Sequence, residues 1–235
     1  MNALSQPAQV LVDPVTAVPR AVTERRWLIP LLALIATVIF ANVSLAIRYD
    51  ASGPVLAEMQ ASGKAQSVSE ADLTEKVQTA ERIKLISGVA VGLFGVPLMT
   101  LLLATLVKLL SWLLGQKARF LDLFAAVSVA LLPIALFNLI IGLCALWQFE
   151  LDPEHAKLLV PSHLGFLFKH ASPKVARALS GLDFFGLWSA ALLGLGIAAA
   201  AQMRRSRGLI FGFVLYAAYV AIVLVGLPGL GGGHP

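Results

Sequence analysis

The sequence predicts an all-α membrane protein that crosses a bilayer five times. Three observations carry that expectation. Apolar residues make up 58% of the chain and charged residues only 13%, against roughly 25% charged in an ordinary soluble domain. The apolar residues fall in long unbroken runs. Lysine and arginine stand in short clusters beside those runs. A soluble core cannot absorb so many apolar faces. Lipid solvates them and obliges each crossing segment to satisfy its own backbone as a helix.

Residues 1–24 carry Pro7, Pro14 and Pro19 and no apolar periodicity, and the patch Val10 to Val12 is too brief to fold alone. A disordered cytoplasmic tail is therefore expected there. The five-span domain follows over 25–228. Its first run, 27–47, is long enough for roughly 30 Å of hydrocarbon at ~1.5 Å per residue. Thr23 to Leu28 loosely resembles a twin-arginine signal. The run exceeds the ~7–15 residues of an export-signal core, and four further runs follow, so this span is expected to be retained.

Residues 48–82 are polar, with turns expected at Gly53, Pro54 and Gly63. Ser69 with Asp72 resembles a capping pair, and Glu70, Asp72 and Glu75 suit a helix start. The spacing of Leu73, Val77 and Ala80 predicts a helix there. It continues into the second span, about 83–107, and an extension lying on the headgroups is favoured over a surface arm for a partner. Pro97 should kink that span. The third span, about 123–147, has Pro133 near its middle and Asn138 as its deepest polar residue. The fourth is about 182–201 and the fifth about 209–227. Residues 229–235 are glycine-rich and expected to fray.

Charge orients the spans. Arg20, Arg25 and Arg26 flank the first span. Lys108, Lys117 and Arg119 lie between the second and third, and Arg204, Arg205 and Arg207 between the fourth and fifth. In a five-span chain these three segments share one side. The positive-inside rule places that side, and the N-terminus, in the cytoplasm and the C-terminus outside. The net charge of +5 thus reads as orientation and contact with anionic lipid, not as a nucleic-acid surface.

Lipid offers helices no hydrophobic reason to associate, so small residues mark their contacts. Gly186, Ala190, Gly194 and Ala198 recur every four residues. Gly88 with Gly92, and Gly208 with Gly212, form GxxxG pairs. Packing within the bundle is favoured over a dimer contact. Asn42 and Asn138 are the candidates for polar contacts between spans.

Catalytic and metal chemistry find little support. No span carries a deep ionisable residue of the kind that marks an ion path. The lone cysteine, Cys144, excludes an intrachain disulfide and a cysteine-based zinc site. His155, His163 and His170 share one loop, but no HExxH, Walker or GxSxG pattern accompanies them. No catalytic residue, cofactor or metal site is expected. Asp122 and Asp183 suit helix starts electrostatically. Ahead of the fourth span, Leu164 to Phe168 is a short apolar run. Val175, Leu179 and Leu182 then recur at helical spacing opposite Lys169, Lys174 and Arg177, as in a surface or re-entrant helix.

Three stretches carry a resemblance to a known family. Leu121-Asp122-Leu123 leads to Leu131-Leu132-Pro133. Ser162 to Leu167 forms a short apolar motif. Leu182-Asp183-Phe184-Phe185-Gly186-Leu187-Trp188 opens the fourth span. Together they resemble the Yip family of five-span membrane proteins, over about residues 85–228. Yip proteins were first known as partners of Ypt/Rab small GTPases and have many bacterial relatives. The resemblance implies the same orientation and a non-enzymatic role in membrane organisation or partner binding, in a bacterial cytoplasmic membrane. The short tail ahead of the first span argues against a small-GTPase partner. A membrane-protein partner or a second copy is expected instead. Bottom-up, Asp183 reads as a helix cap and Trp188 as an anchor. The alternative function is a subunit of a small-solute transporter or channel, with Pro97, Thr100, Pro133 and Asn138 along a midplane path.

Overall fold

Helices account for most of the described residues, and no strand forms among them beyond isolated bridges. The computed structural model describes residues 6–61, 70–148, 159–168 and 172–222. Expectations for Gly63, Ser69, His155, Lys169, His170, the last residues of the fifth span and the 229–235 tail fall outside those ranges.

Four helices have the length and apolar character to cross a bilayer: Leu28–Arg48, Glu70–Leu113, Phe120–Leu146 and Arg205–Ile222. A fifth apolar helix, Phe184–Ala200, has 17 residues, at the short end of crossing length, roughly 17–25 residues. The chain is an all-α, multi-pass membrane protein.

Two segments depart from expectation. Residues 6–23 are not a disordered tail. They form α1 (Gln6–Val12) and α2 (Pro14–Thr23). Pro14 stands in the first turn of α2, where its missing N–H costs nothing. Val10, Val18 and Val22 are at most 1% exposed. These apolar patches are too short to fold alone, but tertiary burial compensates for their length. Likewise Gly53 and Pro54 do not mark a turn but open helix α4 (Ser52–Ala61), following α3 (Leu28–Arg48). Asp50 accepts hydrogen bonds from the Ser52 backbone N–H and hydroxyl, both at 2.8 Å. Those bonds hold its carboxyl below the usual aspartate range.

The 44-residue helix Glu70–Leu113 is roughly 66 Å long at ~1.5 Å per residue, about twice the hydrocarbon thickness. It comprises α5 (Glu70–Ala90), a π-turn at Val91–Gly95 and α6 (Val96–Leu113). Pro97 explains the π-turn. A proline ring clashes with the carbonyl four residues back. The chain widens just before it, so that the Val96 N–H bonds to Val91 instead. The third span divides at Leu131 into α7 (Phe120–Ala130) and α8 (Leu132–Leu146), two residues before Pro133. The remaining helices are α9 (Pro173–Ser180), α10 (Phe184–Ala200) and α11 (Arg205–Tyr219).

The chain forms two compact units. One draws on Met1–Leu34, Pro97–Leu136 and Pro161–Pro235, the other on Ile35–Val96 and Phe137–Val160. The core of the first gathers Val18 and Val22 of α2, Val107 of α6, Leu123 and Val127 of α7, and Leu192 and Ile197 of α10. Three helix ends in this unit share one device. Arg25, Gly115 and Gln202 adopt positive φ, at 52°, 72° and 52°. The next residue's N–H reaches back five positions: Arg26 to Ala21, Gln116 to Ser111 and Met203 to Ala198, at 2.8–3.0 Å. These are Schellman endings, which satisfy the last carbonyls of a helix. The N-terminal arm is also tied by polar contacts. Arg25 pairs with Asp122 at 2.9 Å, and Gln6 donates to the Arg26 carbonyl at 3.1 Å.

In the second unit α3 and α5 approach closely. A Cβ on Gly88 would lie 2.8 Å from Asn42 Cβ, and one on Gly92 would strike Ile39. Asn42 donates a long bond, 3.4 Å, to the Gly88 carbonyl. The Arg48 guanidinium donates to the Leu146 carbonyl at 3.2 Å, and the Lys84 ammonium sits over the Tyr49 ring.

Candidate functional site

The first unit brings together the segments singled out in the sequence. Ser162–Leu164 runs antiparallel to Leu182–Phe184 through the bridge of His163 with Asp183. The Phe184 N–H donates to Ser162 at 3.0 Å and the Leu164 N–H to Leu182 at 3.2 Å. Leu164–Leu167 then turns as a short 3₁₀ segment, and α9 occupies the stretch with helical spacing. Nothing in a single sequence announces this pairing. Its two partners are separated by the 3₁₀ turn and α9, and neither has the alternation of a strand.

Asp183 is the N-cap of α10. Its extended backbone, φ −98° and ψ 136°, and its carboxylate, which accepts the Gly186 N–H at 2.7 Å, satisfy one of the orphan donors at the helix start. Such a cap contributes about 0.5–2 kcal/mol. Phe184 packs edge-on to Phe185 at 5.3 Å and tilted against Trp188 at 5.5 Å. Phe185 is buried and Trp188 packs against the core. The Tyr216 hydroxyl donates to the Gly181 carbonyl at 2.7 Å, fastening α11 to the turn ahead of α10. Gly186 makes room for that phenol, since a Cβ there would collide with it.

Below this polar node α10 and α11 meet backbone to backbone. A Cβ on Gly194 would lie 2.7 Å from both the Gly208 carbonyl oxygen and Leu209 Cα. One on Gly208 would lie 2.6 Å from Ala198 Cβ, and one on Gly212 would meet the Ala190 carbonyl and the Gly194 nitrogen. The stripe of Gly186, Ala190, Gly194 and Ala198 thus faces Gly208 and Gly212 within one unit. Asp122 stands in the first turn of α7 and holds Arg25. Pro133 and Asn138 lie on α8. Asn42 meets Gly88 in the other unit.

Beside the seam lies an apolar cleft of about 350 Å³, which sequence reasoning missed. Gly186, Ser189, Ala190 and Leu193 line it from α10, at i, i+3, i+4 and i+7. Gly212, Leu215, Tyr216 and Tyr219 line it from α11 at the same spacing. The break between α7 and α8 supplies a third wall.

The motif pairing, the capped start of α10 and the glycine seam lie within a longer region of recognisable sequence. The Yip1 domain profile matches residues 8–227. The chain belongs to the Yip1 domain family. The match reaches beyond the 85–228 stretch in which the motifs lie and takes in most of the α1–α2 arm and all of the first span. Yip1 family members are membrane-embedded proteins not known as enzymes. No curated protein and no solved structure matches this Yip1 chain. Among its described residues, no three His, Cys, Asp or Glu side chains cluster to hold a metal ion.

Proposed function

We propose that this Yip1 protein is a non-enzymatic organising component of a bacterial cytoplasmic membrane, and that it acts by binding a membrane-protein partner or a second copy of itself. The observation that carries this reading is the helix Glu70–Ala90, which has no buried residue. Its charged stretch, Glu70 to Arg82, runs on into a membrane span and is largely exposed, a surface that a partner can cover. By contrast, Asp183 is occupied in capping α10 and Trp188 in packing, so the family motif works as scaffold. The partner is a membrane protein rather than a small GTPase, because the α1–α2 arm is packed into the core.

Purification from native membrane in mild detergent, with mass spectrometry of the retained proteins, tests the proposal. A stoichiometric membrane-protein partner, or a stable homo-oligomer, is expected. A solitary monomer that moves solute in liposomes, with flux lost in Asn138→Leu, would replace this reading with the transporter one.

We infer further that the N-terminus is cytoplasmic and the C-terminus external. The basic connections supply the support: Arg25 and Arg26, Lys117 and Arg119, and Arg204, Arg205 and Arg207 all fall on one side of a five-span chain. Reporter fusions after Gln116 and Gln202 should read cytoplasmic, and fusions after Ala61 and Gln148 external. One reversed connection would sink the assignment.

A further inference from the structure

We propose that the cleft between α10, α11 and the α7–α8 break holds one acyl chain of a bilayer phospholipid. This inference does not depend on the partner-binding reading. The cleft is about 350 Å³, inside the range of roughly 300–1,000 Å³ typical of small-molecule sites. Protein interiors are close-packed, and the walls of an empty space of this size forfeit their contacts. Its lining is overwhelmingly apolar, so ordered water is a poor occupant.

Two features point to lipid in particular. First, Tyr219 on the cleft wall is 48% exposed. The cleft is therefore continuous with the surface that meets the hydrocarbon. Second, Ser189 lines the cleft, and its Oγ is shielded and has no hydrogen-bond partner among the described residues. Shielded hydroxyls in spans ordinarily find an acceptor. The ester carbonyl at the head of an acyl chain is such an acceptor. Ser189 lies in the second turn of α10, on the side of the cleft nearer Asp183 and the membrane edge, which fits a chain entering from that side.

The test uses the full chain in vesicles of phosphatidylethanolamine and phosphatidylglycerol that contain a phospholipid with a diazirine on one acyl chain. After illumination, adducts are mapped by mass spectrometry. Adducts on Leu193 and Tyr219 are expected to exceed those on the lipid-facing Ile210 several-fold. Ser189→Phe fills the cleft, and the displacement of two or more methylenes should lower cleft labelling roughly tenfold while labelling of Ile210 persists. Ala130→Leu fills it from the opposite wall and gives the same readout if Ser189→Phe does not fold. Should neither variant fold, the wild-type ratio decides alone. Cleft labelling no higher than at Ile210, or unchanged in a folded filled variant, overturns the proposal. A free fatty acid bearing the same diazirine forms a second arm, and preferential labelling by it overturns the phospholipid assignment.

Discussion

Gly194→Leu is expected to abolish the folded protein. The Cβ of any side chain at 194 would sit 2.7 Å from the Gly208 oxygen and from Leu209 Cα. Both are backbone atoms, so no rotamer change relieves the clash, and α10 must part from α11. Ordinary overpacking costs about 1–3 kcal/mol. Here the whole seam opens, and the loss should reach the upper end of that range or exceed it. The check is the size-exclusion profile and thermal midpoint in mild detergent, with the monodisperse species expected to disappear. Gly53→Ala is the control, because a Cβ there meets nothing within 4 Å. A Gly194→Leu protein with the wild-type midpoint would mean that the two helices do not touch as described.

Val18→Asp should be nearly as damaging. Val18 is fully buried in the core shared by α2, α7 and α10. A carboxylate there has to be desolvated among apolar side chains or to take up a proton, and either route costs about 3 kcal/mol or more. The thermal midpoint should fall sharply, and trypsin should cut rapidly at Arg20 once α2 is released. Val12, 85% exposed on the same arm, provides the contrast: Val12→Asp should change neither readout. Equal behaviour of the two variants would restore the disordered tail that the sequence suggests.

The α1–α2 arm shows where the sequence was legible and where it was not. Long apolar runs identify spans without reference to anything else in the chain, because the bilayer is their solvent and length alone decides. The five apolar helices therefore lie over the five runs, the second extending well beyond its run and the fifth described as far as Ile222. The small-residue spacings of α10 and α11 were equally visible, and Asp183 before an aromatic run reads as a cap. Residues 6–23 could not be read that way. Val10, Val18 and Val22 become core only because α7 and α10 offer a surface for them, and that surface is distant in sequence. The same holds for the Ser162–Leu164 pairing with Leu182–Phe184 and for the Tyr216–Gly181 bond. Each depends on where two spans end in space, which a one-dimensional pattern does not encode. Pro97 was legible as a disturbance, but its form, a widened turn over Val91–Gly95, was not. The cleft had no sequence signal, since its walls use the same residues as any packed span.

The docked arm sets an order on assembly. Helix α2 packs on α10, whose residues are made some 170 positions later in the chain. At roughly 5–20 residues per second, synthesis leaves α2 without the α10 side of its binding surface for about 10–35 s. Throughout that interval an amphipathic segment waits partly uncovered, and insertion of the fourth span completes the place where it binds. Closure of the arm is therefore complete only once α10 is in place. A chain stalled before residue 184 lacks the α10 side of that surface and leaves the apolar face of α2 partly uncovered.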